Sequence, residues 1–220
     1  NTIAGSIIPN YALIDTNNLH IIGEKYLNIH HHLMALKGQD IKDIKEVWSH
    51  PMALLQCKEF FKKYPHIKLV EDVDTAEVAK RISEQNLFGI AAIAPKIAAE
   101  IFDLAIIEDG IQTIKENATR FVILQTALPM NRTDEINKAS FKFQLDHKRG
   151  SLAAILNVLS DCKMSLTKIQ SLPVIETPWK YSFFVDVTFE DYKEYEKVIK
   201  ILEIIAEEFK ILGTYKNGRK

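Results

Sequence analysis

The sequence has 220 residues, of which 47% are apolar and 26% are charged, and its 28 Lys and Arg residues nearly balance 29 Asp and Glu residues. This composition is typical of a globular protein with one large or two small domains. The net charge of -1 argues against a strong field for nucleic acid or a membrane surface, and the apolar runs are too short to span a bilayer. Two cysteines, Cys57 and Cys162, do not make a disulfide framework, so we expect plain buried thiols in a reducing cytoplasm.

The first half of the chain alternates predicted strands with predicted helices. Strands are predicted at residues 19–22, 26–36, 44–49, 68–73 and 88–94, and helices at 51–61, 76–84 and 95–102. This order indicates an α/β fold with much parallel pairing. In such sheets ligands bind beyond the carboxyl ends of the strands, where helix N-termini favour anions. Residues 49–50, 74–75 and 92–94 occupy such positions, so we expect them to form a cleft.

Three consecutive histidines, His30, His31 and His32, lie within the second predicted strand. Neighbouring strand residues point to opposite faces, so only His30 and His32 could share a metal ion. No cysteine or acidic residue is suitably spaced to complete such a site. We therefore expect exposed strand histidines and no metal.

A polar cluster at residues 116–120 leads directly into the apolar, β-branched run 121–124. The pattern predicts the mouth of a buried strand. A hydroxyl from Thr119, an amide from Asn117 and a guanidinium from Arg120 suit a small anionic substrate, since Arg can hold a carboxylate through two hydrogen bonds. A strand end with a surface arginine is the alternative.

The second half has its own order after a predicted linker at residues 128–139. Strands are predicted at 140–146, 165–172, 181–189 and 209–215, with helices at 150–162 and 191–206. This strand-helix-strand-strand-helix-strand order is the ferredoxin-like arrangement. It leaves one sheet face and one edge available for pairing with another copy.

Five motifs in order resemble those of the prephenate dehydratase family. They are residues 1–6 (NTIAGS), 49–57 (SHPMALLQC), 74–76 (DTA), 91–94 (AAIA) and 117–121 (NATRF). The resemblance implies a two-lobed, periplasmic-binding-protein-like catalytic domain at residues 1–127, with its first lobe incomplete. It also implies that residues 139–217 form the family's ferredoxin-like α+β ACT domain, which senses phenylalanine.

The resemblance implies a cytoplasmic lyase that converts prephenate to phenylpyruvate, water and carbon dioxide without a metal or cofactor. It also implies that L-phenylalanine is the effector and that the protein assembles as a homodimer or homotetramer. Thr119 would hydrogen-bond the departing hydroxyl as the catalytic residue, and Arg120 would clamp a carboxylate or brace the loop. The implied substrate-binding residues are Asn1, Thr2, Ser49, Thr75, Ala92, Asn117, Arg120 and Phe121. The implied effector residues are Gly150, Ser151, Leu152, Ser165, Leu166 and Gln170.

Two departures from the family pattern affect these expectations. The first lobe is incomplete, and residues 165–173 (SLTKIQSLP) lack both charges of a family Glu/Arg pair, with Gln170 and Leu172 in their place. The effector could therefore differ from phenylalanine. Met52 also replaces a glutamine in the motif at 49–57. His50 either orients the turn before Pro51 or takes part in catalysis. Arogenate dehydratase and a non-catalytic amino-acid sensor are the alternative functions.

Overall fold

The computed structural model describes residues 5–127, 135–145, 148–174, 177 and 179–219. The helices are α1 (Pro9–Thr16), α2 (Pro51–Phe61), α3 (Thr75–Glu84), α4 (Lys96–Ile101), α5 (Ser151–Asp161) and α6 (Tyr192–Ile205), with a 3-10 turn at Ile41–Asp43. The strands are β1 (His20–Asn28), β2 (His32–Ala35), β3 (Glu46–Ser49), β4 (Lys68–Glu71), β5 (Ile90–Ala94), β6 (Ala105–Glu108), β7 (Ala118–Gln125), β8 (Lys138–Leu145), β9 (Ser165–Pro173), β10 (Tyr181–Thr188) and β11 (Glu208–Tyr215). None of the described helices is long and apolar enough to cross a membrane.

These elements form two compact units. The first unit contains Leu27–Thr119, and the second contains Ser6–Tyr26 together with Arg120–Lys220. The chain passes from one unit to the other within β1 and within β7, which pair as a two-stranded sheet. Of the predicted linker, residues 128–134 lie outside the described part of the chain, and its last two residues already belong to β8.

The first unit is built on a five-stranded sheet in the order β4-β3-β5-β2-β6. Strand β3 is parallel to β4 and β5, whereas β2 is antiparallel to β5 and β6. Ala91 and Ile93 of β5 pack in one cluster with α2 residues, and Ala92 and Ala94 pack in another with residues of α3 and α4. The small side chains of β5 thus allow helices to cover both faces, as expected for an α/β sheet.

The second unit is built on the antiparallel sheet β11-β8-β10-β9. Apolar side chains of α5 and α6 pack on one face of this sheet around Phe141 and Phe143. The opposite face is covered by a cluster that includes Ile14 of α1 and Ile21 of β1. The predicted ferredoxin-like order is confirmed, but the prediction of a free sheet face is wrong, because α1 and β1 occupy it.

Gly213 shows how closely β1 approaches this sheet. A Cβ atom at Gly213 would lie 1.9 Å from the carbonyl oxygen of Ile21, so a larger residue would force the two strands apart. The pairing of β11 with β8 shifts in register between Ile211 and Gly213. Glycine at this irregular position permits the close backbone contact.

Candidate active site at the carboxyl edge of the parallel strands

The three parallel strands of the first unit end at one edge. Ser49 at the end of β3 is paired with Glu71 at the end of β4, and Ala94 ends β5. Helix α2 begins directly after β3 and α3 follows β4, so both helix N-termini lie at this edge. His32 at the start of the antiparallel β2 is paired with Ala94. The positive ends of the two helix dipoles make this edge favourable for an anion.

The side chains predicted to bind substrate at this edge differ in their burial and in their hydrogen bonds. Thr75 is the first residue of α3, is half-buried, and follows the N-cap Asp74, whose carboxylate accepts the N–H of Ala76 at 2.8 Å. Ser49 is fully buried and its hydroxyl donates to the carbonyl oxygen of Ile93 at 2.8 Å. This hydrogen bond joins β3 to β5 and uses the Ser49 hydroxyl proton.

Ala92 and His50 are also placed by backbone structure. Ala92 is paired with Trp48 on one side and with Met34 on the other, so it lies inside the sheet and not at its edge. Ala94, two residues further on, ends β5 at the edge, so a contribution from backbone N–H groups near Ala92 stays a prediction. The Nδ1 atom of His50 accepts the N–H of Met52 at 3.2 Å and caps α2, which is the turn-orienting role.

Four buried polar residues of the first unit form a hydrogen-bonded group that we call the Gln56 cluster: His31, Gln56, Gln112 and Asn117. The Oε1 atom of Gln56 lies 2.8 Å from Nε2 of His31 and accepts Nδ2 of Asn117 at 3.1 Å. The Oε1 atom of Gln112 accepts the backbone N–H of His31 at 3.0 Å. The cluster therefore ties the start of β2, helix α2 and the segment before β7 to one another.

Two of the three consecutive histidines are buried, so the expectation of exposed strand histidines is wrong. Nδ1 of His32 lies 2.7 Å from a carboxylate oxygen of Asp109. Burial lowers the pKa of His31 below its ordinary value of 6.5 more than its contact with Gln56 raises it, and the neighbouring His30 and His32 lower it further. Among the described residues, no group of three His, Cys, Asp or Glu side chains could hold a metal ion.

Thr119 lies two residues after Asn117, a member of the Gln56 cluster. It is half-buried at the start of β7, and the carbonyl oxygen of Asn117 accepts the N–H of Ile29 at 2.8 Å. The rest of β7 is mostly exposed, with Phe121 exposed at 53%. The prediction of a buried strand is therefore wrong, because β7 pairs with β1 alone within a two-stranded sheet. Asn1 and Thr2 lie outside the described residues.

Arg120 belongs to the second unit and to a group that we call the Arg120 ion cluster: Glu24, Arg120, Lys138, Asp186 and Tyr215. The guanidinium contacts the Glu24 carboxylate, lies 2.5 Å from Asp186 and donates to the Tyr215 hydroxyl at 2.7 Å. Lys138 donates to both oxygens of Glu24, at 2.9 and 3.0 Å. These contacts support the bracing role for Arg120 and leave the carboxylate clamp without support.

The electrostatics of the Arg120 ion cluster are those of a paired, buried network. The side chain of Glu24 is 0% exposed and that of Arg120 is 16% exposed. Burial opposes the charged form of Glu24, but the N–H of Gly218 and the cations of Lys138 and Arg120 outweigh it and lower its pKa below 4.5. Burial also opposes the charge on Arg120, and Asp186 leads the groups that raise the pKa of Arg120 above its ordinary value.

The family model of prephenate dehydratase matches residues 1–128. This chain belongs to the prephenate dehydratase family. Arogenate dehydratase/prephenate dehydratase 2 of Arabidopsis thaliana is 36% identical over 98% of the chain and 59% of that relative. Prephenate dehydratase of Methanocaldococcus jannaschii is 34% identical over 98% of the chain and 78% of that relative. The chain spans little more than half the length of the first curated relatives it matches.

Solved structures agree with the fold of a prephenate dehydratase. That of the Staphylococcus aureus enzyme is 25% identical, with a TM-score of 0.84 over 97% of this chain and 79% of that one. The Arthrobacter aurescens enzyme in complex with L-Phe has 23% identity and a TM-score of 0.83, over 98% of this chain and 72% of that one. GqqA, described as a quorum-quenching acylase, has 23% identity and a TM-score of 0.86, covering 97% of this chain and 78% of that one. At that identity it shows the shared fold alone.

The predicted effector residues lie in the ferredoxin-like part of this prephenate dehydratase family member, but not at one place. Gly150, with φ of +86°, precedes α5, and α5 follows the end of β8 at Leu145. Ser165 is paired with Thr188 at the other end of the same sheet. Gln170 lies between the two ends, with its amide nitrogen donating to the carbonyl oxygen of Ser171 at 3.0 Å. Within a single chain the six residues therefore do not form one site.

The sequence interpretation missed Gln56 and His31. Gln56 was part of the motif at 49–57, where it stands between the apolar Leu55 and Cys57, and a polar residue that becomes buried in such a position needs a hydrogen-bond partner. His31 offered a weaker signal, because its partner Gln56 lies 25 residues along the chain. Histidines in a row suggested metal binding, whereas in the structure His31 makes a hydrogen bond within the Gln56 cluster.

Proposed function

We propose that this chain carries the dehydratase chemistry of its family, the conversion of prephenate to phenylpyruvate. The reaction takes up one proton: the ring C–OH bond breaks to give water, the bond to the ring carboxylate breaks to give carbon dioxide, and its electron pair completes the aromatic ring. Aromatisation supplies the driving force. The observation that carries the proposal is that the family motif at 117–121 is anchored through Asn117 to α2, whose N-terminus lies at the anion-favouring strand edge.

The proposed roles follow from the groups that the first unit offers. Thr119 hydrogen-bonds the departing hydroxyl, and a donor or water behind it supplies the proton, a form of acid assistance worth about 10²–10⁴-fold. The N-termini of α2 and α3, with the Thr75 hydroxyl, bind a substrate carboxylate as fixed dipoles. Ser49 acts indirectly by joining β3 to β5, and Arg120 by bracing the start of β7. Phe121 has no assigned contact with substrate.

We expect the purified protein to form phenylpyruvate from prephenate without added metal or cofactor. The assay follows phenylpyruvate absorbance in alkali after incubation with prephenate, with chelator present in a parallel sample. Heat-inactivated protein is the control, because prephenate aromatises spontaneously in acid. No turnover above that control would favour the alternative of a non-catalytic amino-acid sensor.

Arogenate dehydratase is the second candidate, because the plant relative that is 36% identical has both activities in its name. Arogenate carries an amino group in place of the side-chain keto group of prephenate. Parallel assays with the two substrates decide between them through the ratio of kcat/KM. A ratio above tenfold in either direction assigns the substrate, and a smaller ratio assigns both.

We propose that the protein is a homodimer that binds L-phenylalanine through its ferredoxin-like part. Strand β9 is an edge strand, with Ser165 at one end of the sheet and Pro173 beside Tyr181 at the other. Antiparallel pairing of β9 with β9 of a second copy would bring the partner strand's first residues to the end near Gly150–Leu152. The two parts of the predicted effector site would then lie together.

Light scattering at micromolar concentration is expected to give at least twice the mass of a single chain, and L-phenylalanine is expected to lower the rate of turnover. L-tyrosine and L-leucine serve as comparison effectors, because Gln170 and Leu172 replace a charged pair of the family. A single-chain mass would contradict the proposed dimer. An undiminished rate at saturating phenylalanine would contradict this choice of effector.

A further inference from the structure

His31 makes one side-chain hydrogen bond, and this bond holds Gln56. His31 as a residue is 8% exposed, its Nε2 atom lies 2.8 Å from Gln56 Oε1, and its Nδ1 atom has no hydrogen-bond partner among the described residues. The same Gln56 oxygen accepts from Asn117. One amide oxygen therefore holds both the histidine and the segment that leads to Thr119.

The unpartnered Nδ1 atom fixes which nitrogen of His31 carries the proton. If Nδ1 carried it, a buried N–H donor would have no acceptor, which is a rare and costly arrangement. With the proton on Nε2, His31 donates to Gln56 Oε1 and only a lone pair remains without a partner. Asn117 also donates to the Gln56 oxygen, so this amide oxygen accepts hydrogen bonds from two donors.

The surroundings of His31 also keep its ring neutral. His30 and His32 flank it on its own segment, Gln56 faces it from α2, and Gln112 binds its backbone. None of these groups is an anion, and the carboxylate of Asp109 lies next to His32. Protonation would add a donor at Nδ1 without an acceptor, in agreement with the lowered pKa of His31.

We propose that neutral His31 is a positioning residue for the dehydratase reaction: by holding the Gln56 oxygen, it directs the Gln56 amide nitrogen to a ligand and fixes the Asn117–Thr119 segment. The Gln56 amide nitrogen has no hydrogen bond to any of the described residues, so it remains available as a donor. This inference rests on the proposed function. It predicts that His31 contributes to kcat although it does not touch the substrate.

The kinetic test compares His31→Leu with His31→Gln. Leucine removes one of the two donors that hold the Gln56 oxygen and leaves Asn117 alone to orient it, so kcat is expected to fall about 10–100-fold with little change in KM. Glutamine can place an N–H near the position of Nε2, so it is expected to restore kcat to within about fivefold of wild type. His66→Leu is the matched control, because His66 is exposed, and its kcat should not change.

The second test needs no turnover. In ¹⁵N-labelled protein, the imidazole spectrum of His31 is expected to show a proton on Nε2 and a bare Nδ1 at neutral pH. In Gln56→Glu, a carboxylate would face Nε2 and stabilise the imidazolium, so the pKa of His31 is expected to rise. His66 serves as the internal reference in both spectra.

The outcomes separate this inference from the proposed function. Wild-type kcat in folded His31→Leu, a glutamine variant no better than leucine, or a proton on Nδ1 would overturn the positioning role. A wild-type protein that acts on neither prephenate nor arogenate would overturn the proposed function instead. In that case the imidazole spectrum and the Gln56→Glu titration still decide whether His31 holds Gln56.

Discussion

Thr119→Ala is expected to fold normally and to lose about 10²–10⁴-fold in kcat with prephenate. The departing hydroxyl is a poor leaving group without a hydrogen bond that strengthens as the C–O bond breaks. Such a bond acts in the transition state more than in the ground state, so its loss should lower kcat more than it raises KM. Because Thr119 is half-buried at the start of β7, stability should change by only about 1 kcal/mol or less.

Two further variants make this result specific to the hydroxyl. Thr119→Ser keeps the oxygen and should retain kcat within about tenfold of wild type. Thr113→Ala removes a hydroxyl from an exposed residue in the segment between β6 and β7 and should behave as wild type. A Thr119→Ala protein with kcat within about threefold of wild type would exclude Thr119 from the reaction. The carboxyl edge would then need another group to assist departure of the hydroxyl.

The sequence was sufficient to predict the parts of the site that follow from strand direction. Ser49 and the turn before Thr75 each come directly after a predicted strand, and parallel strands place such turns at one edge. The α/β class and the ferredoxin-like order could be predicted because both follow from local periodicity, and the structure confirms both. The predicted end of the strand at residue 94 is also where β5 ends, and Ala92 lies two residues before it, inside the sheet.

Contacts between distant parts of the chain were not predictable in the same way. Arg120 meets Glu24 and Asp186 across 96 and 66 residues. From the motif alone, an arginine beside a candidate catalytic residue has the same appearance whether it binds substrate or a buried carboxylate. Helix α1 was missed for a related reason: of its residues, Ile14 is buried and Leu13 is exposed, so no clear apolar periodicity marks it. The helix is stabilised by its packing on the sheet of the second unit, and this contact is not visible in the local sequence pattern.

Arg120→Leu is expected to destabilise the protein by about 3–5 kcal/mol, because it leaves the buried Asp186 carboxylate without its cation. Glu24 would still be paired with the Lys138 cation, whereas Asp186 would keep only its hydrogen bond from Ser140. Most of the lost stability would therefore come from the unpaired charge of Asp186. Urea denaturation should show a lower midpoint at an unchanged slope. Arg120→Lys should lie between wild type and leucine, since an ammonium cannot contact three groups in the fork geometry of a guanidinium.

The control for this experiment is Lys62→Met, which breaks an exposed pair with Glu59 and should change stability by less than about 1 kcal/mol. The pH dependence gives a second check. The pKa of Glu24 in the folded protein lies below its ordinary value of 4.5. The ionised Glu24 carboxylate therefore makes its full contribution to the free energy of unfolding at pH values above 4.5. This contribution should be lost as the pH falls further and the folded carboxylate is protonated. In Arg120→Leu this acid-dependent part should be smaller, since one of the cations that stabilise the Glu24 carboxylate is gone.

The same variants separate the two roles that the motif leaves open for Arg120. A substrate clamp predicts a large rise in KM for Arg120→Lys with unchanged stability, because the carboxylate would lose its paired donors. A brace predicts lower stability, with KM altered only as far as the start of β7 is displaced. The two-residue sequence Thr119-Arg120 would then combine separate tasks: the hydroxyl for the departing oxygen, and the guanidinium for the sheet of the second unit. A normal urea midpoint together with a raised KM would reverse this assignment and return Arg120 to the substrate.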